Sequence, residues 1–149
     1  MKISARVREH LRQVMEERIA FNHVLGLKIE SFDPEAPRLR FDMRPELLGN
    51  PTRKILHGGV ISATLDVAGG FAIMAKLIQA APPGAGASEF PNMGTIDLRV
   101  DYLRPGLGRY FIATGRVVRM GSRVAVTHME LVNDEDKLIA TGGAAYMIG

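Results

Sequence analysis

The stretch that decides the fold runs from His57 to Ala75 and reads HGGVISATLDVAGGFAIMA. Asp66 is its only acidic or basic residue other than the histidine, and apolar residues occupy nearly every side of the helix it predicts over 58–79, which places that helix in a core. A carboxylate there is costly unless it is paired, hydrogen-bonded or used in chemistry. Glycines at a helix start leave backbone N–H groups facing a ligand, and the helix dipole favours negative charge there. The segment predicts an oxyanion-binding helix start and, two turns along, a candidate base or nucleophile.

The sequence on either side of this helix predicts strands and one further helix. Apolar periodicity indicates an N-terminal helix over 4–20. Alternating or β-branched runs bounded by turn residues indicate six strands, at 27–32, 39–43, 95–103, 110–120, 123–132 and 138–148. The order is helix, two strands, long helix, four strands, with a loop over 44–56 and a connector over 80–92. This order predicts an α+β domain in which an antiparallel sheet of about six strands packs on one central helix.

The first strand after the connector alternates strictly between apolar and polar residues. Ile96, Leu98 and Val100 fall on one face, and Thr95 and Asp97 fall on the other. Arg99 and Asp101 share this second face, where we expect cross-strand ion pairs or exposure to solvent rather than chemistry.

Composition narrows the class of protein. The 149 residues contain no cysteine, and the net charge of +3 is mild. We expect a single domain over 1–149, without disulfides, thiol nucleophiles or thiolate metal sites. The arginines are spread along the chain, so nucleic acid is not an expected partner. Because the apolar run at 60–75 is shorter than a bilayer span and no signal peptide precedes it, we expect a cytoplasmic protein that does not enter a membrane.

Several classes of active site are absent from the sequence. There is no Gly-x-Ser-x-Gly elbow, no phosphate-binding P-loop and no dinucleotide fingerprint. No spacing of His, Asp and Glu indicates a metal site. We therefore expect neither a metal nor a cofactor.

Two motifs together carry a resemblance to a known family. The His57-Gly58-Gly59 start with Asp66 in the same helix, followed by the strand GTIDLRVDYLRPG over 94–106, resembles the hotdog-fold acyl-CoA thioesterases of the PaaI-like group. Within that group the chain is most similar to the bacterial YigI-type members. The resemblance runs from about residue 21 to residue 148. It implies a sheet wrapped around the central helix and active sites at the interface of a homodimer, with a dimer of dimers as a further possibility.

The resemblance also implies roles for individual residues. Asp66 would be the general base toward water or the nucleophile on the thioester carbonyl, and the Gly58 N–H would be the oxyanion donor. His57 and Asn50 would complete the pocket, and Thr95 matches a position that orients water in some relatives. Asn50 departs from the pattern, because it lies seven residues before His57 where relatives have six.

Substrate-binding residues follow from the same resemblance. Gly59 lies beside the thioester, and Arg53, Arg119 and Arg123 are candidates for the phosphates of coenzyme A, since guanidinium groups suit phosphate oxygens. Apolar side chains near Asp66 favour a medium- or longer-chain acyl group, with an aryl group as an alternative. The side chains expected to form this apolar pocket are Ile61, Leu65, Phe71 and Met74.

Spacing along the helix argues for a site shared between subunits. Asp66 lies about 12 Å of axial rise beyond Gly58, at 1.5 Å per residue. That separation is too large for both residues to hold one thioester carbonyl. Each chain would then supply two half-sites, each completed by the other subunit.

Alternatives remain open at this point. Asp66 has a structural interpretation as a buried ion pair, His57 as an N-cap and Thr95 as an ordinary strand residue. A hotdog hydratase or dehydratase acting on acyl thioesters, and a non-catalytic acyl-CoA binding domain, fit the same motifs.

Overall fold

The computed structural model describes residues 3–85 and 91–149, and it has the predicted architecture. The eight strands are β1 (Lys28–Ser31), β2 (Arg38–Asp42), β3 (Leu48–Asn50), β4 (Ile55–Leu56), β5 (Met93–Tyr102), β6 (Tyr110–Met120), β7 (Val124–Asn133) and β8 (Leu138–Ile148). The helices are α1 (Ala5–Arg12), α2 (Ala20–Leu25) and the 23-residue α3 (Gly58–Ala80). A π-helical turn (Gln13–Arg18) joins α1 to α2, and a 3₁₀ turn (Pro45–Leu47) precedes β3.

Six strands form one antiparallel sheet in the order β1-β2-β6-β7-β8-β5. The sheet wraps around α3, whose buried residues meet inward side chains of β6, β7 and β8 in a single core. The antiparallel sheet of about six strands on one central helix is thus confirmed. The predicted loop over 44–56 differs in part, because β3 and β4 pair there as a small hairpin.

α3 is apolar because it is buried in the domain, although it is also long enough to cross a membrane. The helix is longer than the 60–75 run and meets the length and composition of a membrane-crossing helix, but 61% of its most apolar window is buried inside the domain. The core helix of a soluble protein meets the same criteria.

The N-terminal helix departs from the expectation of one continuous helix over 4–20. Ser4 caps its start, since its hydroxyl accepts from the Val7 N–H. The helix then widens into the π turn and breaks at Ile19, which has extended backbone angles. Glu16 in the π turn is only 9% exposed and accepts a 2.8 Å hydrogen bond from the Ile29 N–H of β1. The π turn thereby covers part of an otherwise open sheet edge.

Candidate active site

Asp66 lies two turns into α3, on the side that faces β5 and β8. Its side chain is partly buried, and its Oδ1 atom accepts from the Thr95 hydroxyl at 2.8 Å and from the Tyr146 hydroxyl at 3.1 Å. Within residues 3–85 and 91–149, Oδ2 has no hydrogen-bond partner. Two hydroxyls therefore orient the carboxylate through one oxygen and leave the other available to water or substrate.

A β-bulge brings Thr95 to Asp66. Thr95 pairs with Tyr146 across to β8, whereas Asp97 pairs with Ala145, so Ile96 is an extra residue in the ladder. The extra residue reverses the alternation, which turns Thr95 toward α3 and leaves Ile96 58% exposed. The strict alternation predicted for this strand is wrong at this point, and the correction places Thr95 in the site.

Tyr146 is the site residue that the sequence reasoning missed. It is 2% exposed, and its hydroxyl lies 2.6 Å from the Asp66 backbone oxygen as well as beside Oδ1. Burial, together with the charge of Asp66 and the hydrogen bond to it, raises the Tyr146 pKa well above its usual range. The phenol therefore stays protonated and acts as a donor. A tyrosine at an inward position of an apolar strand needs a polar partner, and that was the available signal.

Gly69 makes room for this tyrosine. A Cβ atom there would lie 2.4 Å from the Tyr146 hydroxyl oxygen and 2.7 Å from the Thr127 Oγ1 atom. The two adjacent glycines therefore differ in role. Gly69 leaves space for the Tyr146 hydroxyl, whereas Gly70 has more space around it and lines the pocket beside Asp66.

A pocket of about 150 Å³ opens beside the carboxylate. Asp66, Thr95 and Tyr146 form its polar end, while Phe71 and Met74 are among its apolar lining. Two other residues expected near the acyl group do not line it: Ile61 and Leu65 are 3% and 0% exposed, in the core.

The start of α3 forms a second group of candidate residues. His57 is the N-cap, and its Nδ1 atom accepts from the Gly59 N–H at 2.8 Å. Because Nδ1 is occupied by this bond, Nε2 is the ring nitrogen left for another partner. Among the described residues, the Gly58 N–H has no hydrogen-bond partner. Gly58, rather than Gly59, therefore offers the unpaired donor at the helix start.

Tyr102 also contacts this helix start, which the sequence reasoning missed. Its hydroxyl donates to the Gly58 backbone oxygen at 3.0 Å. Thr95 and Tyr102 lie at opposite ends of β5 and contact Asp66 and Gly58 respectively. Because about seven residues of strand span about 20 Å, the chain presents two separate groups of candidate residues rather than one assembled site.

Asn50 and Arg53 lie in the turn of the β3–β4 hairpin. The Asn50 side-chain oxygen accepts from the backbone N–H groups of Thr52 and Arg53, so it shapes the turn. The hairpin packs against the start of α3, where a Cβ on Gly49 would lie 2.6 Å from the His57 Cα. Asn50 is therefore held near Gly58 at the start of α3, and its side-chain oxygen is already used to shape the turn.

Arg119 and Arg123 flank the Gly121 turn between β6 and β7, and both side chains are exposed. Neither they nor Arg53 line the pocket beside Asp66. No group of three or more His, Asp and Glu side chains within the described parts of the chain could hold a metal ion.

Comparison with known proteins identifies the family. The model of the thioesterase superfamily matches residues 54–140, a span that includes Gly58, Asp66 and Thr95. The chain belongs to the thioesterase superfamily.

Relatives and solved structures agree with this assignment. This thioesterase is 42% identical over 132 residues to the medium/long-chain acyl-CoA thioesterase YigI of Escherichia coli K12, covering 87% of the chain and 85% of that protein. The YigI protein of Salmonella typhimurium matches over the same span at the same identity. A crystal structure from Shewanella oneidensis, described as related to the thioesterase superfamily, superposes with a TM-score of 0.86 at 41% identity, covering 97% of both chains. The hotdog fold and the resemblance to YigI-type thioesterases are thus confirmed.

Proposed function

We propose that this thioesterase hydrolyses coenzyme A thioesters of medium- and long-chain acids, releasing the free acid and coenzyme A. The observation that carries the proposal is the Asp66 carboxylate, oriented through Oδ1 and open at Oδ2, at the polar end of an apolar pocket. The activity in the name of its relative YigI supports the same substrate class.

The chemistry needs a group that delivers water and a group that holds the oxyanion. With Asp66 as general base, its carboxylate takes a proton from water while the water oxygen bonds to the thioester carbonyl carbon. The tetrahedral oxyanion then accepts a hydrogen bond from the Gly58 N–H of the partner subunit. Its collapse breaks the C–S bond, and the leaving coenzyme A thiolate takes up the proton that Asp66 removed from water, which restores the carboxylate. With Asp66 as nucleophile, its carboxylate oxygen bonds to the carbonyl carbon and displaces the coenzyme A thiolate, and water then hydrolyses the resulting acyl-enzyme anhydride.

The proposed assembly is a homodimer or a dimer of dimers, with each site shared between two chains. β5 is an edge strand ten residues long, and its outer edge is unpaired among residues 3–85 and 91–149. A long unpaired edge is a ready template for pairing with a second copy. Such pairing would place Asp66 of one subunit, with the hydroxyls that hold it, opposite the start of α3 in the other subunit. There the Gly58 N–H would face the thioester, and His57, Gly59 and Asn50 would border it.

The remaining roles are proposed on chemical grounds. Arg53, Arg119 and Arg123 are exposed and free to bind the phosphates of coenzyme A as guanidinium forks. We further propose a cytoplasmic enzyme that uses no metal or other cofactor, acts on neither nucleic acid nor membranes, and takes coenzyme A only as part of its substrate.

Release of free thiol from a panel of acyl- and aryl-CoA thioesters tests the proposed function. We expect turnover of the medium- and long-chain acyl thioesters, and a loss of about a hundredfold or more in kcat for Asp66→Asn, since a carboxamide is neither base nor nucleophile. Asp42→Asn, an exposed acid on β2 that does not line the pocket, is the matched control. Absence of turnover for every thioester, or full activity of Asp66→Asn, would refute the proposal.

The oxyanion donor can be removed with little change to the helix. Gly58 is the first residue of α3, where proline is tolerated because no intrahelical bond needs its N–H. Gly58→Pro removes the N–H donor while keeping a backbone compatible with the helix start, and we expect kcat to fall about 10²–10³-fold. Gly58→Ala keeps the N–H and adds a Cβ at an ordinary 3.4 Å from the Tyr102 ring, so it should retain most activity. Equal kcat values for the two variants would exclude Gly58 as the donor.

A further inference from the structure

The N-terminal helices form the outer wall of the pocket beside Asp66. Met15 and Ile19 line the pocket opposite the apolar face of α3, and Asn22 lies beside them. Met15 is only 3% exposed, so this wall is a packed part of the domain. The match to the family model begins at residue 54, so the wall lies outside the part of the chain shared with the superfamily at large.

The π turn gives this wall its shape. The Ile19 N–H donates to the Val14 carbonyl at 3.0 Å, which is an i to i−5 bond instead of the α-helical i−4. The Met15 carbonyl instead accepts from the Asn22 side-chain amide at 3.0 Å, and this bond ties α2 back onto the turn. The side chains of Met15 and Ile19 are thereby held on one side of the chain, facing α3.

The opposite wall runs along α3 away from the carboxylate. Val67, Phe71 and Met74 follow Asp66 at helical spacing on the pocket side. Asp66 to Met74 is eight residues, or about 12 Å of axial rise. The pocket therefore has a polar end at the reacting group and an apolar channel that extends along the helix, as an extended hydrocarbon chain requires.

We infer that the N-terminal wall sets the length of the acyl chain that the enzyme accepts, with Met15 and Ile19 as specificity-determining residues. The inference rests on the proposed function, because the thioester carbonyl must lie at Asp66 for the acyl chain to enter this channel. The occupant is a flexible saturated chain rather than a rigid ring, since methionine side chains from both walls (Met15 and Met74) and from β5 (Met93) adapt to such a chain.

The test compares kcat/KM for saturated acyl-CoA thioesters from hexanoyl to palmitoyl in three variants. Met15→Ala removes apolar volume from this wall and enlarges the channel, so we expect the palmitoyl-to-octanoyl ratio of kcat/KM to rise about tenfold. Ile19→Phe narrows it, so the ratio should fall by a similar factor. Leu11→Ala is the matched control, because Leu11 lies in α1, is also 3% exposed and does not line the pocket. Its ratio should stay within about twofold of wild type.

Binding provides a second reading that does not depend on turnover. Calorimetric titration with non-hydrolysable thioether analogues of the same chain lengths should show the same shifts in relative affinity. If the thioesters are not hydrolysed but analogue binding shifts as expected, Met15 and Ile19 do select the acyl chain and the proposed reaction is wrong. If the thioesters are hydrolysed and neither Met15→Ala nor Ile19→Phe changes the ratio more than Leu11→Ala does, the inference is overturned. Should Met15→Ala not fold, the partly exposed Ile19 position decides the test alone.

Discussion

At the scale of single residues, the central feature is that the two side-chain oxygens of Asp66 have different hydrogen-bond partners. Oδ1 is occupied by the hydroxyls of Thr95 and Tyr146, and Oδ2 has no partner among the described residues. Hydrogen bonds to one oxygen restrict rotation of the carboxylate, so the other is held in a defined position. Tyr146 is a positioning residue in this arrangement, because it acts on the substrate only through Asp66.

Tyr146→Phe tests this role. The ring remains, so packing is kept, while the donor to Asp66 is lost. A hydrogen bond to a charged group contributes about 1.5–3 kcal/mol, and Thr95 still holds Oδ1, so we expect kcat to fall about tenfold with KM nearly unchanged. Steady-state kinetics on a good acyl-CoA substrate measures this split, and Tyr110→Phe serves as the control. A wild-type kcat in Tyr146→Phe would remove Tyr146 from the mechanism.

The raised pKa of Tyr146 also predicts how stability depends on pH. An unfolded tyrosine loses its proton near pH 10.0, whereas the folded, buried phenol keeps it. Above that pH the unfolded chain binds fewer protons than the native one, so the free energy of unfolding falls by about 1.4 kcal/mol per pH unit from this residue. Below pH 10 the contribution is fully present. Urea unfolding between pH 9 and 11 should show a shallower alkaline loss in Tyr146→Phe than in Tyr110→Phe, and equal slopes would contradict the assignment.

At the scale of elements, the close approach of α3 to the sheet depends on glycine in β6. A Cβ on Gly115 would lie 2.3 Å from the Ala68 carbonyl oxygen and 2.8 Å from its carbon, and both are backbone atoms of α3 that have little room to move. The helix can therefore lie directly on the strand only because this side chain is absent.

Gly115→Ala should consequently destabilise the fold. We expect a loss of about 1–3 kcal/mol in the free energy of unfolding, as overpacking of a core commonly causes. Gly143→Ala is the matched strand control, since its Cβ would meet nothing closer than 3.9 Å. Denaturant unfolding of the two variants provides the comparison. Similar midpoints would mean that the helix and the sheet separate at little cost.

At the scale of the whole molecule, the separation of Asp66 from Gly58 within one chain determines how a complete site can form. Asp66 contacts one end of β5, and Gly58 contacts the other. If each site combines the Asp66 group of one subunit with the Gly58 group of its partner, inactive variants should complement one another.

Co-expressed, differently tagged Asp66→Asn and Gly58→Pro chains test this sharing. Each mixed dimer would contain one site with both groups intact and one with both lost. We expect about half of the wild-type activity per mixed dimer, although each parent is inactive, because the reaction depends on both groups. Thiol release by the purified mixed dimer is the measurement. Activity no higher than that of the parents would place both groups in a site within one chain.

Patterns within short segments determined much of this protein. The apolar face and the lone acid predicted α3 and Asp66, and alternation predicted the strands of the main sheet. Local patterns suffice there because burial of a helix or strand is repeated at every turn or every second residue. The N-cap interpretation of His57 could also be reached from its neighbours alone.

Only the tertiary structure decided how distant segments meet at the site. The bulge at Ile96 turns Thr95 inward, although the alternation predicted the opposite, because pairing with β8 rather than local propensity controls that register. Tyr146 lies 80 residues from Asp66 along the chain, so no local pattern links them. The π turn at Gln13–Arg18 contains no proline that would have predicted a break in the helix. The sequence by itself therefore determined the helix with its His-Gly-Gly start and its buried acid. The folded chain decided which hydroxyls hold that acid and which wall faces it, since such contacts depend on the packing of whole elements.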